Sequence, residues 1–254
     1  MTKHELYETL KSSFRNILEG HNLTTDAITI SARGLTPEEA IGHTDRKDFP
    51  ILTGKEIMLM AEFKGASGQA FTDAPAQFTG TITDILNMDF EHDAHGWGLF
   101  IASLNAVMKY LGLADNTVHC KNKGPELCAG HMVDWVSEHY GHPKIALVGF
   151  QPSLIGALSQ KFEIQVLDLN PENIGKIKDG CPVHNGETDR EDVINWADLV
   201  LCTGSTLSNG TIIYFINLDK PVVFFGTTLS GAAPILGLQR SCFADMTFQE
   251  QQQG

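Results

Sequence analysis

The residues best suited to chemistry in this chain lie in four short polar loops, each following an apolar run. "GFQPS" (149–153) follows "KIALV", "DLN" (168–170) follows "IQVL", "TGSTLSNGT" (203–211) follows "DLVLC", and "GTTLSG" (226–231) follows "PVVFF". Glycines allow close backbone approach, while hydroxyls and helix N-termini offer donors to an anion or a ribose. The candidate ligand-binding residues are Gly149, Pro152, Asp168, Thr203, Gly204, Ser205, Thr206, Asn209 and Thr227. Asp168 follows Gly149 by 19 residues, near the spacing at which an acidic residue meets a ribose hydroxyl. The same residue types also suit helix N-caps, so Ser153, Ser205, Thr206 and Ser230 carry a purely structural reading as well. Pro152 stands where a G-x-G-x-x-G loop needs backbone donors. It removes an N–H and fixes φ, which disfavours pyrophosphate binding in the NAD manner. A nucleotide-like ligand held in a methyltransferase-like mode, or a pocket with no nucleotide, remains open.

A second set of reactive types lies upstream. "GKEIML" holds Lys55 and Glu56, and "GQAFTDAP" holds Gln69, Thr72 and Asp73. Lys55 suits binding or polarising an anionic group. Glu56, Asp73 and His119 suit proton transfer. A surface ion pair and a turn explain the "GKEIML" and "GQAFTDAP" groups equally well. "NTVHCKNKGPELCAGH" carries the ligand types His119, Cys120, Cys128 and His131, suited to a transition metal. Cys128 and His131 share a helix face, but His119 and Cys120 would point apart in an extended segment. The spacing is not that of a structural zinc site, and a packing role for both cysteines competes. "EHDAHGW" (Glu91, His92, Asp93, His95) is a further metal cluster or an exposed acidic loop. No G-x-S-x-G elbow is present.

These groups need elements to position them. Leu6, Leu10, Phe14, Ile17 and Leu18 predict an amphipathic helix ending at Gly20. Strands are predicted over 27–34, 56–63 and 68–74. "EEAIGHT" (38–44) is expected to pair with the first of them through a turn at Thr36-Pro37. Trp97, Phe100, Ile101, Leu104, Val107, Met108 and Leu111 predict one helix, and "GPELCAGHMVDWVSEHYG" a second. From Lys144, apolar strands (145–150, 164–169, 198–204, 221–228) alternate with helices near 152–160, 188–196, 206–217 and 230–238. That rhythm predicts a parallel sheet covered on both faces. The expected division is an α+β meander domain over 1–94, followed by a helical connection and an α/β Rossmann-like domain over 95–254.

The chain has 254 residues and a net charge of −13 with no basic cluster, which argues against nucleic acid as a partner. Five cysteines at uneven spacing and no signal peptide point to a reducing, cytoplasmic setting. No apolar run reaches the length of a bilayer span. The expected partner is a small molecule. Trp97 and Phe100 are available either for a contact in a homo-oligomer or for an interdomain core. The tail "FQEQQQG" is expected to fray.

Taken in order, "GKE", "GQAFTD", "NAV", "TVHC", "LVGFQP", "DLN", "TGSTLSNGT" and "FFGTTLSGAA" resemble the heavy-metal chelation domain family, a group of proteins of unknown function. The resemblance runs over nearly the whole chain. It implies an enolase N-terminal-like domain followed by a Rossmann-like domain, with an active site between them. It implies condensation or hydrolysis of a pterin-, flavin- or siderophore-like molecule, or a methyltransferase-like activity. By position it places Lys55, Glu56, Thr72, Asp73, Asn105 and His119 against the strand-end loops of the second half. A metal or metal-chelate carrier without catalysis is the alternative, with a transition metal as its cofactor.

Overall fold

The computed structural model describes residues 1–23, 29–44, 46–53, 57–90 and 92–253. Lys55, Glu56 and Glu91 lie outside the described residues.

The first half forms a four-stranded antiparallel sheet from β1 (Thr29–Leu35), β2 (Ile57–Phe63), β3 (Ala66–Thr72) and β4 (Phe78–Thr81), in the order β3-β2-β1-β4. β2 follows the period-2 rule. Leu59, Ala61 and Phe63 enter the main core, while Met58 packs on the other face with Leu35, Ile41, Phe49 and Ile51. α1 (Lys3–Gly20) buries Leu6, Tyr7, Leu10, Phe14 and Leu18. α4 (Ala94–Tyr110) lies against β2 and β3. Its approach depends on Gly68, where a Cβ would stand 2.1 Å from the Ala106 nitrogen.

The segment 38–44 is not a hairpin partner. Pro37–Ile41 forms a short helix, α2. Thr36 caps the Glu39 N–H, the Glu39 carboxylate returns to the Thr36 N–H, and Pro37 occupies the first turn. This capping box outweighs the turn reading of Thr-Pro. The place at the β1 edge goes to β4, which leads directly into α3 (Ile82–Leu86).

The second half holds a six-stranded, mostly parallel sheet. Its strands are β5 (Ile145–Val148), β6 (Ile164–Asp168), β7 (Ile177–Lys178), β8 (Cys181–Asn185), β9 (Leu199–Thr203) and β10 (Val222–Phe225), in the order β10-β9-β5-β6-β8-β7. Both faces are covered, as the unbroken apolar runs require. Ala146, Val148, Val200, Cys202 and Phe224 face the main core with α7 (Arg190–Trp196) and α8 (Ala232–Leu236). Ile145, Leu147, Leu199, Leu201, Val223 and Phe225 face α5 (Gly124–Tyr140) and α6 (Pro152–Leu158). One hydrophobic core therefore runs from α1 and the antiparallel sheet through α4 to the parallel sheet. Trp97 and Phe100, 2% and 0% exposed, belong to it. The Trp97 Nε1–H donates to the Leu207 carbonyl across the halves (2.9 Å).

Two further expectations change. In place of the helix expected over 206–217, the chain forms two short 3-10 turns, Gly204–Leu207 and Thr211–Tyr214. Gly210 between them sits at φ +76°, which breaks any helical continuation. The tail does not fray but forms α9 (Ala244–Gln253), packed on α5 and tied to it by Glu250 and His131 (2.9 Å). Among the described residues no helix is long and apolar enough to cross a membrane.

Candidate functional site

The parallel sheet reverses direction between β5 and β9. From β5 the chain steps one way to β6 and β8, then returns to β9 and β10 on the other side. In open α/β sheets ligands bind beyond the carboxyl ends of the strands at this crevice. A cleft of about 770 Å³ lies there. Val148, Gly149, Phe150 and Gln151 enter it from β5, Asp168, Asn170 and Asn173 from β6, and Thr203, Ser205, Thr206 and Asn209 from β9. Its far wall belongs to the first half, where β3 ends in Phe71, Thr72 and Asp73. The two halves are joined at this wall. The Phe71 N–H donates to Thr228 Oγ1 (3.1 Å), and Ser208 Oγ donates to the Phe71 carbonyl (2.5 Å).

The cleft has a definite charge. Among the described residues, Asp73, Asp168 and Glu187 line it against one basic side chain, Arg190, whose guanidinium lies over the Tyr214 ring (4.0 Å to the centroid). Asp168 is held by the protein. Its Oδ1 accepts from the Asn170 N–H and Asn173 Nδ2, and its Oδ2 from the Phe150 N–H (3.0 Å). Oδ2 keeps a lone pair for one more donor. Gly149 sits at φ +97°, and a Cβ there would meet Thr203 Cγ2 at 2.7 Å. Its role is to bring β5 and β9 together at the crevice. Pro152 is buried at the start of α6, where Ser153 Oγ donates to the Glu126 carboxylate (3.3 Å). A carboxylate at that turn, with a proline among its nitrogens, disfavours a pyrophosphate there.

A smaller cavity of about 90 Å³ adjoins the cleft and shares Pro50, Phe71, Gln151, Thr203 and Ser205 with it. Its remaining walls include His119, Cys120, Cys128, Met132, Thr227 and Cys242. Buried Gln69 positions His119 by accepting from its backbone N–H (2.7 Å). His119 Nδ1 meets the Cys120 carbonyl (2.7 Å), and Phe71 packs edge-on against the ring. Desolvation lowers the His119 pKa from its usual value, so the imidazole stays neutral, with Nδ1–H donating and Nε2 left as an acceptor. The Cys128 thiol is lowered by a hydrogen bond from Cys120, with help from the Phe243 backbone and Arg240. The Cys120 thiol, its partner, rises well above the normal range. Burial pushes Cys242 up to about 11 and Cys202 up to about 12. All five cysteines are free.

The residues singled out in the sequence therefore divide. Asp73, Gly149, Asp168, Thr203, Ser205, Thr206 and Asn209 meet at the cleft, together with Thr72. His119, Cys120, Cys128 and Thr227 line the inner cavity, and both His119 and Cys120 reach it because residues 115–121 bend instead of extending. Gly204 packs under Leu229 and lines neither. His131 turns away to Glu250 and Phe243. Asn105 is fully buried behind the sheet ends. Asp93 caps α4 through the His95 N–H, and His95 Nδ1 meets the Pro75 carbonyl. Among the described residues no group of three or more His, Cys, Asp or Glu is arranged to hold a metal ion. Sequence reasoning missed Phe71, Glu187, Arg190 and Tyr214 in the cleft, and Met132 and Cys242 in the cavity. Cys242 lies far along the chain from Cys128, so no spacing rule could join them.

Comparison with curated proteins gives no match. Among solved structures, the chain resembles a protein of unknown function from the DUF364 family of Pyrococcus horikoshii (17% identity, TM-score 0.52), over 88% of this chain and 79% of that one. It also resembles a protein of unknown function from the same family in Desulfitobacterium hafniense DCB-2 (13% identity, TM-score 0.52), over 92% and 83% of the respective chains. At these identities the likeness is one of fold. Residues 132–242, from the middle of α5 to the cavity cysteine, match the DUF364 family model, described as "Putative heavy-metal chelation", which bears out the family resemblance; the motifs from "LVGFQP" onward lie within the match and the four before them lie outside it.

Proposed function

We propose that the chain is an enzyme that binds a small hydroxyl-bearing heterocyclic metabolite in the cleft and turns it over by condensation or hydrolysis. The observation that carries this reading is the make-up of the cleft. One wall comes from the end of β3 and the other from the switch point of the parallel sheet, so ligand and reactive groups meet between the halves. With three acidic side chains against one basic among the described residues, the cleft suits a neutral or cationic ligand better than a polyphosphate. Asp168 Oδ2, Ser205 and Asn209 are placed to read hydroxyls, and Tyr214, backed by Arg190, gives a ring face for stacking. Asp73 is the proton-transfer group at the rim. His119, neutral in the adjoining cavity, is the second acid-base group within the same connected space.

Native mass spectrometry of the purified chain tests this, followed by titration with a pterin, a flavin and a catecholate. A bound organic mass should be lost in Asp168→Asn and in Ser205→Tyr, which fills the cleft with a ring. Binding that survives both changes, or absence of binding by all three probes together with absence of a co-purifying mass, would overturn the assignment.

A further inference from the structure

Sulfur dominates the polarisable lining of the inner cavity. Cys120, Cys128, Met132 and Cys242 all face it. Cys128 and Met132 stand four residues apart on α5, so one helical turn places a thiol and a thioether on the same side. Cys120 precedes that helix and Cys242 precedes α9, so sulfurs from three separate segments line the one cavity. Among the described residues no carboxylate lines the cavity. A buried cation stands beside it. The Arg240 side chain is 8% exposed, and its ion-pair partner Asp115 is 73% exposed at 3.3 Å. The Arg240 Nε–H donates to the carbonyl of Gly226, which lines the cavity (2.9 Å). Thr227, on the same wall and 2% exposed, has a hydroxyl with no hydrogen-bond partner among the described residues.

We propose that the inner cavity binds a soft d10 cation of the copper(I) class between the sulfurs of Cys120 and Cys128, flanked by the Met132 thioether. Thiolate and thioether donors select soft ions over zinc-like or oxygen-preferring ones. A two-coordinate ion needs only two of these sulfurs. Binding releases two thiol protons to solvent and leaves two thiolates on a monovalent ion. The site then carries one net negative charge, which the Arg240 guanidinium opposes. This inference stands apart from the metabolite reading of the cleft. It gives the family's chelation description particular residues.

The test is anaerobic titration of the intact chain with cuprous ion against a competing copper(I) chelator, followed by ultraviolet thiolate-to-copper absorption. Wild type should take up one equivalent with that signature. Cys128→Ser should lose it, and Met132→Leu should weaken it about tenfold. His131→Ala and Asp168→Asn should keep it. Circular dichroism confirms that each variant is folded; if Cys128→Ser is not, sulfur coordination measured by X-ray absorption on the loaded wild type decides. No uptake by wild type, unchanged uptake in folded Cys128→Ser, or an absorption spectrum without sulfur ligands would overturn the proposal. None of these results bears on metabolite binding in the cleft.

Discussion

The Asn105 side chain accepts a 2.6 Å hydrogen bond from the Gly231 N–H, while its Nδ2 donates to the carbonyls of Gln69, Thr227 and Thr228. One buried amide thus ties β3 to the loop after β10, and with it the cleft wall to the sheet. Asn105→Leu would leave the Gly231 donor and the Gln69 and Thr228 carbonyls short of their side-chain partner in the interior, while the Thr227 carbonyl keeps Ser230. The expected loss is roughly 3 to 5 kcal/mol by chemical denaturation, because each orphaned group carries its own desolvation penalty. A loss below about 1 kcal/mol would mean that water replaces the amide.

Gly149 predicts a different kind of damage. Gly149→Ala should destabilise the fold by about 2 kcal/mol, through both the positive φ and the 2.7 Å approach to Thr203 Cγ2. The double variant Gly149→Ala with Thr203→Ala removes the contact but keeps the backbone strain. It should recover part of the loss relative to the two single changes. Strict additivity of the two would show that the contact relaxes freely.

What the sequence made legible follows from where each signal originates. β5 and β9 could be read because a strand buried on both faces leaves an uninterrupted apolar run, and the loops behind them stood out through glycine and hydroxyls. α2 was misread because Thr36-Pro37 serves a turn as well as a helix start; the deciding bond is the Glu39 return to Thr36. α9 was missed because a glutamine-rich tail has little helical pattern of its own and gains its order from α5. The same limit applied to the cavity. Cys128 and Met132 share a recognisable helix face, yet the arrival of Cys120 and Cys242 beside them depends on tertiary packing that no local pattern encodes. His119 could be singled out as a residue type, but its neutral state arises from burial against Phe71 and the Cys120 carbonyl.

Asp48 joins the loop before β2 to the sheet hairpin. Its carboxylate accepts from Arg46 (2.9 and 2.8 Å) and pairs with Lys178 (3.0 Å). Chiefly through the Arg46 hydrogen bonds, its pKa falls to about 2. The unfolded value is about 3.9, so the folded state holds the proton less tightly than the unfolded one. The stabilisation is present above about pH 4 and is lost as pH falls toward 2. Lys178→Met should raise the Asp48 pKa and cost under about 1 kcal/mol at neutral pH, since the pair is partly exposed. Carboxyl NMR titration and denaturation from pH 7 to 2 would show the difference between wild type and variant closing with acid. A difference that stays constant over that range would separate Asp48 from this linkage.

Asp73 lies at the rim of the cleft, exposed at the end of β3, beside Thr72, whose hydroxyl accepts from the Ala74 N–H (3.0 Å). That bond belongs to the backbone turn and does not require the Asp73 carboxylate. Asp73→Asn should therefore change stability by less than about 0.5 kcal/mol, as surface substitutions do. It should leave binding of a cleft ligand within about threefold while lowering turnover by roughly 10²- to 10⁴-fold, the range of a positioned acid or base. The two readouts are native mass spectrometry for the bound ligand and single-turnover kinetics on whichever substrate class the titrations identify. Loss of binding with unchanged chemistry per bound molecule would make Asp73 a recognition residue and move the proton-transfer role to His119. Retention of both would leave His119 as the only described acid-base candidate of the upstream set, with His119→Gln the variant to decide it.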